Sequence, residues 1–288
     1  MQNQIETLEV GQFKLTIMCD SHLLLPVKWA FHGIKQQHWS SAVELSSANS
    51  FRCPVNVIHC EAGPHSVIID TGIGEPHPTR KIYDAEFSLQ QVVDLKTNLS
   101  QAGIEIAAVT AVIFSHSDWD HIMGATVEGQ GERQPFFPQA RHFIMNGGWE
   151  HDEVTGAVDS VANIHLSVLK KHGQLQLLDK MHTVAPGITM IPSPGHAAEH
   201  AHVRLSSNQE TLFCSGDLFH HPIMITHPDW IPYGNDRENL LTSRQAVIAE
   251  ALDLNAYLFG AHFPFPGIGK LVKEHDLVKW VPTIIGHC

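Results

Sequence analysis

The 288-residue chain has no apolar run approaching the ~20 residues of a membrane-spanning helix, no Cys-x-x-Cys pair, and no basic segment leading into an apolar one near Met1. Met1 to Val10 carries Glu6 and Glu9 instead, so a signal peptide is not expected. Cysteine is sparse: Cys19, Cys53, Cys60, Cys214 and Cys288 are odd in number and widely spaced. That argues against both a disulfide framework and a thiolate zinc site, and reduced thiols in a cytoplasmic protein are the expectation. Positive charge is also short. Eighteen Lys and Arg face 30 Asp and Glu, for a formal net charge of −12, a field that repels phosphate backbones and anionic lipid surfaces alike. Neither nucleic acid nor a membrane is expected as a partner. No Gly-x-Ser-x-Gly elbow is present, which removes one serine-hydrolase reading, and Gly72-Ile73-Gly74 is too short for a dinucleotide fingerprint.

What remains is ordinary globular composition, 43% hydrophobic and 17% charged, with one excess. Histidine occurs 22 times, beyond what packing or solubility requires, and imidazole is the commonest metal ligand.

Short apolar runs rich in Val, Ile and Phe recur and end at Gly, Pro or Asp: 13–19, 55–60, 66–70, 110–114, 142–145, 188–191, 202–205, 211–214 and 257–259. This pattern predicts strands. Helical spacing predicts helices over Ser88–Ser100, with Ser88 and Gln91 as a capping box and Leu89, Val92, Val93 and Leu99 on one face, and over Asp159–Lys171 and Arg237–Leu252. Strands cluster before the first helix and again after residue 185, which argues for two packed sheets with helices outside. No linker or repeat divides the chain, so one domain over 1–288 is expected.

The run His116-Ser117-Asp118-Trp119-Asp120-His121 places four metal-competent side chains in six residues directly after an apolar strand. Alternate positions on a tight loop can converge on one point, and divalent ions need such imidazole and carboxylate donors held without long flexible connections. Pro194-Gly195-His196 follows another strand, Ser215-Gly216-Asp217 ends a third, and Gly260-Ala261-His262 ends a fourth.

With Asp70-Thr71-Gly72, these segments form an ordered series that resembles the metallo-β-lactamase superfamily over about residues 13–270. The tail His262-Phe263-Pro264-Phe265-Pro266-Gly267 is most similar to the branch of methyl parathion hydrolase and the N-acyl homoserine lactonases. The resemblance implies an α+β fold, an αββα sandwich of two mixed sheets with helices on the outer faces and a dinuclear metal site at one edge. It assigns His116, position 118 and His196 to one ion, Asp120, His121 and His262 to the other, and Asp217 to both. Asp70 and His200 would support the site from behind the ligands. The implied activity is hydrolysis of a small ester, lactone or phosphoester by a metal-activated hydroxide, with Asp120 as ligand and proton shuttle and Asp217 as the bridging group. Homodimers are common in the resembled branch.

The chain departs from the family pattern at Asp118, where the second histidine of His-x-His-x-Asp-His is usual. An extra carboxylate lowers the charge of the site and favours harder ions, iron or manganese, over zinc. Alternatively the short side chain fails to reach, and the first position is weak. Two further readings follow: a non-haem diiron redox enzyme, since the flavodiiron branch carries a carboxylate there, or a small-molecule-binding protein without turnover. Trp119, His220, Trp230, Tyr233 and Phe263 adjoin the ligand loops and are candidates to line the substrate pocket.

Overall fold

Period-two alternation builds both sheets. In strand His65–Ile69, Val67 and Ile69 enter one apolar cluster and Ile68 another, and in Ala111–Ile113 the outer two residues join the first cluster while Val112 joins the second. Successive side chains of a strand point to opposite faces, so each sheet is buried on both sides. The computed structural model describes residues 4–47, 49–74, 79–82, 85–147, 157–158 and 160–283.

Among these residues, the first sheet runs in the order Leu175–Leu178, Arg141–Met145, Ala111–Ile113, His65–Ile69, Ser50–Ala62, Phe13–Pro26, Ala85–Val92 and Thr79–Ile82, with Ile5–Val10 and Leu45–Ser47 paired alongside. The second runs His182–Ala185, Ile188–Pro192, Ala201–Ser207, Glu210–Cys214, Tyr257–Phe259, Ile268–Glu274 and Leu277–Pro282. Leu15, Ile17, Ile58 and Ile113 of the first sheet meet Met190, Val203, Leu212 and Phe259 of the second in the central cluster. Leu95, Leu99, Leu166 and Leu169 cover the outer face of the first sheet from helices Leu95–Gln101 and Val161–Lys171. Leu240, Val247 and Ile248 of helix Arg237–Asp253 cover the second beside Phe213 and Leu258. This is the expected αββα sandwich of two mixed sheets.

Both sheets contain parallel pairs: His65–Ile69 with Ala111–Ile113, and Glu210–Cys214 with Tyr257–Phe259. Asp70, His116, Asp217 and His262 lie just beyond the carboxyl ends of these four strands, which is where open parallel sheets place their ligands. No helix of the described residues is long and apolar enough to cross a membrane.

The helix expected over Ser88–Ser100 is instead two elements. Ala85–Val92 is a strand, with Ser88 opposite Leu24 and Leu89 opposite Leu23, and the helix is Leu95–Gln101. Its cap is not Ser88 but Asp94, whose side chain accepts from Thr97 N–H at 2.8 Å. The long Phe13–Pro26 strand offers pairing partners that local spacing does not reveal, and tertiary pairing overrides a weak helical pattern. The helix expected over Asp159–Lys171 runs Val161–Lys171 with Ser160 as cap. Asp159 and Cys288 lie outside the described residues. The third helix ends at Asp253 rather than Leu252.

Several histidines away from the sheet edge are buried as neutral rings. Burial pushes His142 down to about 3 and His59, His165 and His202 down to about 4. Below pH ~6.5 the unfolded chain takes up protons that these folded rings refuse. Stability therefore falls as pH drops from about 6.5 toward 4 and levels off once the folded groups also titrate. We expect the urea midpoint to fall across that window. His142→Leu should reduce the slope by up to about 1.36 kcal/mol per pH unit, the contribution of one proton; an unchanged slope would contradict neutral burial of this ring.

Candidate metal centre

Seven side chains converge at the sandwich edge. His116, Asp118, His196 and Asp217 form one group of donor atoms and Asp120, His121 and His262 a second, each within 4.8 Å. The motif loop supplies four of the seven by making a tight turn, with Trp119–Ile122 as a single helical turn that aims Asp120 and His121 inward. His196 is delivered after Gly195, which adopts φ +133° and lies so close to the start of the last helix that an added Cβ would sit 2.2 Å from Leu240 N. Asp236, the cap of that helix, also donates its N–H to Gly195 O at 2.9 Å.

Asp217 stands between the groups. Its Oδ1 is 3.1 Å from both His121 Nε2 and His262 Nε2, and its Oδ2 is 3.5 Å from His196 Nε2 and 3.8 Å from His116 Nε2. Asp120 Oδ2 lies 3.4 Å from His262 Nε2 and 3.7 Å from His121 Nε2. Asp118 Oδ2 lies 3.0 Å from His196 Nε2 and 3.4 Å from His116 Nε2. The short aspartate thus reaches the first group.

The donor set fits cations. Pro54 O can only accept a hydrogen bond, so His262 Nδ1, 2.9 Å away, carries the proton. The neutral ring then directs its Nε2 lone pair at Asp217 Oδ1, an arrangement that calls for a positive charge between them. His116 Nε2, His121 Nε2 and Asp217 Oδ1 are buried without a hydrogen-bond partner. Without ions, protons supply that charge. Burial opposes charging His121 and His262, yet their neighbours together outweigh it, Asp217 foremost with Asp70 and Asp120 at His121 and Cys53 at His262, and raise both well above the usual histidine value. Burial likewise opposes ionisation of Asp217, and His262, His121 and His220 together hold it well below the usual carboxylate range.

Behind the donors is a bracing layer. Asp70, at φ +58°, accepts from Ser115 N–H at 2.7 Å and Ser115 Oγ–H at 2.9 Å, and its Oδ2 is 2.9 Å from His121 Nδ1. Non-glycine residues avoid positive φ, and aspartate is among the few that tolerate it. His200 uses both nitrogens within the protein. Its Nδ1 donates to Ser193 O at 2.9 Å and its Nε2 accepts from Asp217 N–H at 3.0 Å, which leaves no lone pair for an ion. Burial keeps this ring neutral by lowering its pKa.

Of the expected pocket residues, His220 is buried beside Asp217, with Nε2 3.0 Å from Asp217 Oδ2, and burial pushes it down to about 3. Trp29 meets the His220 ring edge-on at 4.8 Å. Tyr233 is 45% exposed near His32, and Trp230 stacks on His227 at 4.1 Å. Phe263 and Trp119 are packing residues instead of cleft walls. Both are buried in the apolar cluster, Phe263 against Trp280 at 5.0 Å. His221 lies among Phe31 and Phe51, and burial raises the Cys214 thiol well above its usual value.

Three positioning residues escaped the sequence reading. Glu199 is buried and accepts from Ser117 N–H at 3.2 Å and from its Oγ–H, which ties the His116–Asp118 loop to the His196 loop. Arg244, fully buried in the last helix, donates to Leu218 O, Pro228 O and Trp230 O and so shapes the segment after Asp217. Asn235 donates to His196 O at 3.3 Å. Glu199 and Asn235 resemble ordinary polar loop residues in sequence, but Arg244 falls at helical spacing between Leu240 and Ile248, a charge on the apolar stripe that is a visible signal.

Residues 51–262 match the family model described as the metallo-beta-lactamase superfamily, and the chain belongs to that superfamily. No curated protein matches the sequence. Among solved structures, AidC, a dizinc quorum-quenching lactonase in complex with a product, is similar at 21% identity with a TM-score of 0.82, over 99% of each chain. The hydrolase AbOPH is similar at 17% identity and TM-score 0.83, over 100% of each chain. A single-site mutant of AiiA from B. thuringiensis, with N-decanoyl-L-homoserine bound at its active site, is similar at 16% identity and TM-score 0.66, over 91% of this chain and 100% of that one.

Asp70→Asn keeps the shape of the brace and removes its charge. It is expected to weaken divalent-ion binding about 10–100-fold, the usual cost of losing a carboxylate behind a ligating imidazole, as read by competition with a chromophoric chelator. Unchanged affinity would show that Asp70 does not support His121.

Proposed function

We propose that the protein is a hydrolase dependent on two divalent ions that opens small neutral ester bonds, lactones foremost, with phosphoesters of similar size as a second class. The observation that carries this reading is the Asp217 carboxylate, whose two oxygens face separate imidazole pairs. His116, Asp118 and His196 would hold one ion, Asp120, His121 and His262 the other, with Asp217 shared. Two such ions supply Lewis acidity and a water whose pKa is lowered toward neutrality. Zinc is the ion of AidC; the added carboxylate of Asp118 makes iron and manganese the harder alternatives.

The remaining work falls to the chain. His220 donates Nε2–H to Asp217 Oδ2 and keeps that carboxylate oriented, and burial holds its ring neutral. Asp120, beside His262 and His121, is the carboxylate placed to pass a proton from water to the leaving oxygen. Trp29 closes one side of His220 and limits water there. The net charge of −12 disfavours polyanionic substrates at long range. The lactonase likeness in AidC and AiiA supports lactones as the first substrates to assay.

The test is turnover of a panel of lactones, aryl esters and phosphotriesters by the metal-reconstituted protein. Asp217→Ala is expected to abolish hydrolysis and to lower bound metal in elemental analysis. If Asp217→Ala keeps full activity, the shared-carboxylate reading is wrong.

A further inference from the structure

Asp118 makes the two halves of the centre alike in donor type. His116, His196, Asp118 and one Asp217 oxygen stand against His121, His262, Asp120 and the other Asp217 oxygen, so each half offers two imidazoles and two carboxylates. Donor softness therefore does not distinguish them, and the surroundings do.

In the second half Asp120, His121 and His262 are all buried. Both imidazoles are braced from behind at 2.9 Å, His121 by Asp70 and His262 by Pro54 O. Such braces fix the ring and raise its affinity for an ion. In the first half the Asp118 side chain is 46% exposed, and its Oδ2 is committed to His196 Nε2 at 3.0 Å. An ion entering there must part that pair. His116 is buried with its Nδ1 3.0 Å from Ser115 Oγ, so the difference lies with His196, whose far side meets Asn235 Nδ2 at 3.4 Å, a looser contact than those behind His121 and His262. Water around an exposed carboxylate also screens its attraction for a cation.

We propose that the His116–Asp118–His196 position exchanges its ion with solvent whereas the Asp120–His121–His262 position retains one, so that the second ion loads and leaves across the face that Asp118 occupies. The proposal rests on the dinuclear reading above. Its consequence is a conditional enzyme: the retained ion marks the resting protein, and the free concentration of divalent ion sets how much of it carries a complete centre.

The experiment uses full-length protein saturated with Zn2+ and, separately, with Mn2+, then transferred into excess EDTA, with metal per chain measured over time by elemental analysis. We expect two ions per chain at the start, one leaving about tenfold or more faster than the other, a factor typical of changes in ligand support. Asp118→His should slow the fast phase, and Asp118→Asn should leave one slowly released ion. Loss of both ions in one phase, or a fast phase unchanged in Asp118→His, overturns the proposal and leaves the dinuclear reading standing. A wild-type protein that saturates at one ion overturns both.

Discussion

The sandwich edge depends on a single electrostatic constraint, the burial of the Asp217 carboxylate among imidazoles whose lone pairs face it. An isolated carboxylate in that position would cost several kcal/mol. The surrounding histidines and the neighbouring backbone exist in this arrangement because the charge must be answered, by protons or by cations. His200 fixes the Asp217 backbone, His220 fixes Oδ2, and His121 and His262 converge on Oδ1. The bracing groups follow from the same constraint. A ring that must present Nε2 inward has to place its Nδ1 proton somewhere, and Asp70 and Pro54 O take it.

The fold makes this convergence possible by bringing two parallel strand pairs, one from each sheet, to a common edge. Asp70 and His116 come from the first sheet and Asp217 and His262 from the second, so neither sheet alone contains the centre. The apolar cluster between the sheets, with Ile58, Ile113, Leu212 and Phe259, is what holds the halves in register. Packing at native density transmits small displacements, so a core substitution well away from the edge would be felt in the ligand geometry.

Much of this was legible in the chain itself, for identifiable reasons. Buried strands such as 66–70 and 211–214 announce themselves as short β-branched runs, and donors that follow strands directly, such as His116 and Asp217, inherit their position from the strand end. The strand Ala85–Val92 was not legible, because its spacing suits a helix and only the Phe13–Pro26 neighbour decides otherwise. Glu199 was hidden for a related reason. Its partner Ser117 is 82 positions away, and a hydrogen bond of that span leaves no trace in local pattern. Phe263 is a pocket candidate in sequence because it adjoins His262, but chain adjacency does not say which way a ring points, and this one turns into the core against Trp280.

Asp118 shows how a departure from a family pattern can be read physically. Replacing an imidazole with a carboxylate shortens the side chain, yet Asp118 Oδ2 still comes within 3.0 Å of His196 and 3.4 Å of His116. Reach is therefore not what the change sacrifices. What changes is the kind of donor and its exposure: an acceptor-only group, ionised and partly in water, replaces a ring that carries its own proton and wants a brace. Partial burial works against its charge, and His116 and His196 hold Asp118 well below the usual carboxylate range. The negative charge thus persists with or without an ion and draws cations to the mouth of the site. A carboxylate at the mouth favours entry as well as exit, whereas the buried donors behind it favour retention, and the same edge of the sandwich combines both.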